Sequence, residues 1–243
     1  MAGVTVEYSC RHAVRVRPKV PEPTAKGERQ PNRPGTGTTA SSIDQIRTIY
    51  TVGPMIDATV SALRIQNVVA TGRVATVLDL DELAERIPGA RYDKKKFPGL
   101  VLHRSSPKVA VLIYTPGKMV LTGMQHPDVL PSAFSGVLEV LRAAGVELEP
   151  FGPPRVVNIV TSGSFDDGIS LQRFAIAMNL ERIEYEPEIF PGLVYRVAGP
   201  RGVALVFGSG SFVVTGTRTE AETARVVVEV RNAIDQAGAW TPG

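Results

Sequence analysis

The residue types that could do chemistry in this chain are few, and they come in pairs. Asn67 and Asn158 lie 91 positions apart in matching apolar surroundings, Gln66-Asn67-Val68-Val69 and Val157-Asn158-Ile159-Val160. An amide carries two N–H donors and a carbonyl acceptor. It is disfavoured in strands and costly to bury unpaired, so two amides at one slot call for hydrogen bonds from outside the chain. Phe97 and Phe190 each open an identical Phe-Pro-Gly-Leu-Val block, and 17 residues further on each is followed by a second ring, Tyr114 or Phe207. Pro then Gly after an aromatic predicts a type II turn with the ring at or near a loop tip, where it is costly to leave in water. The duplicated quartet reads as two wedges on each side. Other chemistry is thin. Cys10 is the single cysteine, and His12, His103 and His126 are scattered without ligand spacing. No P-loop, GxSxG elbow or HExxH helix occurs, which argues against an enzyme and against a metal or other cofactor.

The pairs belong to an internal repeat, and the repeat organises the elements that must hold them. Leu63 to Thr71 is answered by Arg155 to Ser162, Phe97 to Val101 by Phe190 to Val194, and Lys118 to Gly123 by Ser211 to Gly216. The offset is 91 for the Asn pair and 93 for the Phe and Thr pairs, so the second copy holds two extra residues early on. Each copy reads as strand, short helix, several strands, long helix. Asp79 with Glu82 predicts a capped short helix over Asp81 to Ile87, and Ser170 caps its counterpart over Leu171 to Met178. Leu130, Phe134, Val137, Leu138 and Leu141 form one helical stripe; Val227, Val230 and Ile234, after a Thr219/Glu222 cap, form the other, and Gly145 and Gly238 end them. Pro116-Gly117 and Ser209-Gly210 suit tight hairpins. Residues 59–149 and 150–240 are thus expected to be two α+β repeats.

Strand parity carries the functional argument, since successive side chains face opposite sides of a sheet. Val111 and Ile113 lie on one face and Leu112 and Tyr114 on the other; Met119 and Leu121 lie opposite Val120 and Thr122. Hairpin-linked strands are antiparallel, and two substantial helices cannot cover both faces of about ten strands. One apolar face is therefore expected to meet a partner.

With 43% hydrophobic and 21% charged residues over 243 positions, the chain can bury a sizeable core. No run approaches the roughly 18 consecutive apolar residues of a membrane helix, and the amino terminus lacks a secretory pattern. The expectation is an intracellular protein with no membrane partner, in the cytoplasm or nucleoid of a prokaryote or the nucleus of a eukaryote. Residues 1–48 hold eight Lys/Arg against four Asp/Glu, whereas the remainder is near neutral. The stretch from Pro18 to Ser42 is rich in Pro, Gly, Thr and Ser, so residues 1–58 read as a flexible basic tail.

On these residues the chain resembles the TATA-box-binding protein family over roughly residues 60 to 240. The resemblance is carried by Gln66 to Thr71, Tyr92 to Phe97, Pro116 to Gly123, Tyr185 to Arg196 and Gly210 to Gly216, the Tyr185-Glu-Pro-Glu-Ile-Phe-Pro-Gly-Leu-Val-Tyr-Arg196 stretch most strongly. It implies an α+β saddle of two pseudo-symmetric repeats, a curved ten-stranded antiparallel sheet with helices on the convex face. It also implies a general transcription initiation factor whose partners are A·T-rich double-stranded DNA, a B-class general transcription factor and the RNA polymerase machinery. Carried over by position, Phe190 with Phe207 and Phe97 with Tyr114 match the intercalating pairs. Asn67, Asn158, Thr122 and Thr215 match the central hydrogen-bonding groups, while Val69, Val160, Val120, Val213, Leu112 and Leu205 match the apolar minor-groove contacts. Arg104, Lys108, Lys118, Arg196 and Arg201 are the implied phosphate contacts, and Glu184, Glu186 and Glu188 line the loop that would dock the B-class factor.

Three positions depart from the pattern: Tyr114 where Phe is usual, Ser211 where the first copy has Lys118, and His103 where arginine is usual. They keep open a second reading, a divergent regulator or interaction platform of the same fold without TATA preference.

Overall fold

The computed structural model describes residues 4–8, 14–18, 60–178, 180–199 and 201–241. The chain divides into two compact units, Met1–Ile46 and Arg47–Gly243. In the first unit, β1 (Val4–Tyr8) and β2 (Val14–Pro18) pair antiparallel. The other residues of the expected leading tail lie outside the described residues.

In the second unit the order is β3 (Val60–Arg73), α1 (Leu80–Arg86), β4 (Leu100–Ser105), β5 (Lys108–Ile113), β6 (Lys118–Met124) and α2 (Leu130–Ala143). The same series follows again as β7 (Arg155–Phe165), β8 (Gly168–Ile169), α3 (Leu171–Ala177), β9 (Ile183–Glu184), β10 (Gly192–Arg196), β11 (Val203–Phe207), β12 (Ser211–Thr217) and α4 (Glu220–Gln236), with β13 (Trp240–Thr241) at the end. Nine strands form one open antiparallel sheet in the order β4-β5-β6-β3-β7-β12-β11-β10-β9, and β8 pairs separately with β13. The long strands that begin each copy, β3 and β7, pair with each other and join the halves. The first copy's counterpart of β9 is a single bridge, Arg91 to Val101, so the expected tenth strand is one residue long. No helix among the described residues is long and apolar enough to cross a membrane.

Among the described residues, three of the four α-helices begin at a side-chain cap, whereas α2 follows Val129 without one and carries Pro131 in its first turn. Asp79 accepts the Glu82 N–H at 3.0 Å, Thr219 accepts the Glu222 N–H at 3.1 Å, and Ser170 accepts the Arg173 N–H at 3.5 Å. Each satisfies a donor that the first helical turn leaves unpaired. The Glu222 carboxylate accepts the N–H of Arg218, one residue ahead of the cap.

Each half has its own core. In the first, Leu100, Leu102, Val111, Ile113, Met119 and Leu121 pack under Leu130, Ala133, Val137 and Leu141 of α2. In the second, Leu193, Tyr195, Val206, Phe212 and Val214 meet Phe174 of α3 and Val226, Val227, Val230 and Ile234 of α4. Burying each large side chain contributes about 1.5 to 3 kcal/mol, which fixes strand parity, because a one-residue slip would turn the whole set toward water. Burial also raises the Tyr195 phenol above its ordinary value near 10.0, and Glu229 adds to the rise. Alternate residues of the same strands are only half-buried, and they make up the sheet's other face.

Candidate nucleic-acid interface

The face away from the helices holds most of the residues singled out in the sequence. Leu112 lies opposite Val120 across β5 and β6, and Leu205 lies opposite Val213 across β11 and β12. Asn67 and Val69 on β3 alternate with the buried Val68 and Ala70, while Asn158 shares the parity of Val160 on β7. Thr122 and Thr215 complete the set as the half-buried neighbours of these central strands.

The two asparagines are held alike. The Gly123 N–H donates to Asn67 Oδ1 at 2.8 Å and the Gly216 N–H donates to Asn158 Oδ1 at 2.7 Å. A backbone N–H can only donate, so it fixes the carbonyl end of each amide and leaves the NH2 end on the other side. Asn67 Nδ2 reaches Thr122 Oγ1 at 3.2 Å, and Asn158 Nδ2 reaches Thr215 Oγ1 at 3.3 Å. The expectation that these amides need partners from outside is thus corrected for their oxygens, which are satisfied within the sheet. The device is a bulge: the β3–β6 and β12–β7 registers shift beside Gly123 and Gly216, both of which have φ +88. Glycine adopts that conformation at no steric cost and frees its N–H from the ladder. The repeated Thr-Gly dipeptide inside an apolar strand was the signal for it.

The aromatic quartet forms two ring pairs, with Phe97 and Phe190 in the loops before β4 and β10, Tyr114 just after β5 and Phe207 at the end of β11. Phe97 and Tyr114 have centroids 6.0 Å apart with planes at 60°, and Phe190 and Phe207 have centroids 5.8 Å apart with planes at 67°. The expected type II turns do not form, since neither Gly99 nor Gly192 is among the glycines with positive φ. The turns come earlier, with Asp93 O accepting from Lys96 and Phe97, and Glu186 O accepting from Ile189 and Phe190. The glycines serve contact instead. A Cβ on Gly99 would lie 2.8 Å from Phe97 and 3.0 Å from Tyr114, and one on Gly192 would lie 2.7 Å from Phe190 and 2.9 Å from Phe207. Each ring pair therefore rests on a glycine floor.

The charged candidates divide. Lys108 and Lys118 are exposed, at the parity of Leu112 and Val120. Arg201 is exposed in the loop before β11. Arg196 pairs with Glu184 at 2.6 Å, both side chains about half exposed, so one implied phosphate contact and one implied partner-binding residue hold each other. Glu186 and Glu188 are exposed, and beside them Ile189, which the sequence reading passed over, is 80% exposed at the turn. Arg104 is a correction. Its guanidinium lies where a Cβ on Gly136 of α2 would be, 2.7 Å away, and it shares parity with Leu100 and Leu102 on the helix side. His103, next along β4, takes the other face.

From β5 to β11 there are five strand spacings, roughly 24 Å at about 4.8 Å each. At 3.4 Å per base step that is about seven base pairs between the two ring pairs.

Comparison with known proteins agrees with this architecture. The family described as Transcription factor TFIID (or TATA-binding protein, TBP) matches residues 62–144 and again 153–237. The chain is 47% identical over 154 residues to TATA-box-binding protein D of Halobacterium salinarum, covering 63% of this chain and 83% of that protein. It is 42% identical over 176 residues to the TATA-box-binding protein of Pyrobaculum calidifontis, covering 72% of this chain and 87% of the relative. The solved Methanococcus jannaschii TBP superposes with a TM-score of 0.64 at 34% identity, over 72% of this chain and 98% of that one. The open sheet of the second unit, with helices on one face, is the α+β saddle of that structure. A twice-matching family description, relatives at this identity and a shared fold lead to one conclusion: the chain belongs to the TATA-box-binding protein family.

Proposed function

We propose that this chain is a general transcription initiation factor that binds A·T-rich promoter DNA in the minor groove, kinks it at both ends of the site, and recruits a B-class factor and RNA polymerase. The observation that carries the reading is the matched pair of asparagines, each with its amide oxygen tied to a glycine N–H inside the sheet. What such an amide offers a ligand is N–H. The A·T minor groove presents only acceptors, the same ones for A·T and T·A, whereas guanine adds an amino donor that would meet Val and Leu side chains here. The two-fold arrangement therefore favours A·T without reading an exact sequence.

The rings supply the deformation. Unstacking a base step costs a few kcal/mol, a figure for which this family is itself the standard example, and an inserted ring offsets part of it by stacking and by leaving water. Pyrimidine–purine steps are the easiest to open, so TA steps at the ends of the site are favoured. The exposed Glu186, Glu188 and Ile189 turn suits a partner that brings basic and apolar groups, as a B-class factor would.

A second reading, a platform of this fold without TATA preference, is favoured by the Arg196–Glu184 pair and the displaced Arg104, which thin the anchoring at the sheet ends. Fluorescence anisotropy at matched salt separates the two. A TATA-containing duplex is expected to bind at least tenfold more tightly than a G·C-substituted one; equal affinities would remove the first reading.

A further inference from the structure

We propose that Arg64 and Arg155 form a two-fold-related clamp on the phosphodiester backbones of the two DNA strands at the middle of the site; this rests on the reading above that DNA lies on the open face. The two arginines occupy one slot of the repeat, three residues before each asparagine. Register places them. Arg64 stands opposite Ser162 and Arg155 opposite Thr71, while their inward neighbours pair as Ile65 with Thr161 and Val156 with Ala70. Ile65, Thr161 and Ala70 are buried and Val156 packs against the first core, so both arginines belong to the opposite face, with Asn67, Val69 and Thr71.

Both arginines are exposed, and neither has a carboxylate partner among the described residues. Each also lies at a margin of the sheet. β6 pairs with β3 from Val68 to Arg73, and β12 pairs with β7 from Ile159 to Ser164, so both arginines lie beyond the reach of those neighbours. Because β3 and β7 run antiparallel, the two margins are opposite ones. Along β3 the pairings Arg64–Ser162 and Thr71–Arg155 are seven residues apart, roughly 20 Å allowing for the bulges. A resting minor groove is only about 6 Å wide. The pair therefore engages both backbones once the apolar strip between them has splayed the groove, and its charge favours the opened form. This central anchoring makes up for the ends of the sheet, where Arg196 is held by Glu184, Arg104 faces α2 and Ser211 replaces a lysine.

The test uses Arg64→Gln, Arg155→Gln and the double variant, with affinity for a TATA duplex followed against salt. Removing one phosphate-binding arginine should lower the slope of log K against log salt by about 0.9, and removing both should lower it by about 1.8. The preference for A·T over G·C should stay within about twofold of wild type, since phosphate contacts carry no sequence information. On the wild-type protein alone, neutral methylphosphonates at the central backbone positions should weaken binding, and the double variant should be indifferent to them. A double variant with wild-type slope, in a protein that still prefers A·T, overturns the clamp and leaves the DNA reading standing. A wild-type protein with no A·T preference overturns that reading, and the clamp with it.

Discussion

Asn158 receives the Gly216 N–H on Oδ1 at 2.7 Å and donates from Nδ2 to Thr215 Oγ1 at 3.3 Å, so the two ends of the amide have different partners and substitutions can address them separately. Asn158→Asp keeps an acceptor for Gly216 and should fold with stability within about 1 kcal/mol of wild type. It exchanges the NH2 for a negative oxygen facing groove acceptors, so affinity for the A·T duplex should fall at least tenfold, in line with about 1–3 kcal/mol for a good base contact. Asn158→Leu reverses the emphasis by leaving the Gly216 N–H unpaired, at about 1–3 kcal/mol of stability. Thermal unfolding and anisotropy on the two variants check this; an Asp variant that binds like wild type would show that the amide nitrogen reads nothing.

Among the elements, the hairpin turns position the open face. The β5–β6 and β11–β12 turns both close on a loop that follows a central strand, with Val74 N–H donating to Gly117 O and Phe165 N–H donating to Gly210 O, each at 3.0 Å. Gly117 has φ +68 and a Cβ there would fall 1.9 Å from Ala75 O; Gly210 has φ +82 and a Cβ would fall 2.4 Å from Asp167 O. Both carbonyls belong to the loops on which the turns dock. Gly117→Ala and Gly210→Ala should each cost roughly 3 kcal/mol or more, combining left-handed strain with overpacking. Gly89, at φ +80 with nothing within 4 Å of a Cβ, isolates the backbone term, and Gly89→Ala should cost only about 1 kcal/mol. Denaturant unfolding of the three variants decides it; equal losses would mean that the turns are not docked as described.

At the scale of the whole second unit, two separate cores sit under one continuous sheet, so the two ends of the binding face are built alike but need not act alike. Phe190 and Phe207 are both apolar, whereas Tyr114 brings a hydroxyl to its end. In the proposed complex each ring pair kinks its own end. Phe207→Ala should therefore remove part of the bend, and Phe207→Ala with Tyr114→Ala most of it, as read by energy transfer between dyes on the ends of a TATA duplex. Stability should change less than bending, since both rings are only half-buried. A bend unchanged in the double variant would remove the wedge role. The ends also differ in charge: the first-copy loop carries Lys94 to Lys96, of which Lys94 and Lys96 pair with Asp81 and Asp93, and the second carries Glu186 and Glu188 beyond the Glu184 held by Arg196. Such polarity gives a nearly symmetric saddle a means of fixing a partner's orientation.

The sequence alone determined the duplication, the antiparallel α+β class, the capped helices and the presence of an apolar face beyond what two helices could cover. Those follow from local periodicity and from repeated blocks, which are written along the chain. What tertiary structure decided depends on register between distant strands. Arg104 and His103 are neighbours, and only the pairing of Val101 with Leu112 shows which of them shares the open face. The roles of Gly99 and Gly192 lie in contacts with ring pairs whose second members, Tyr114 and Phe207, come from 15 residues further along the chain, and those of Gly123 and Gly216 in bulges that deliver an N–H to an amide some 56 residues away. Arg64 and Arg155 were visible as a repeated residue, but became a candidate pair only when β3 and β7 were seen to run antiparallel and to carry them to opposite margins.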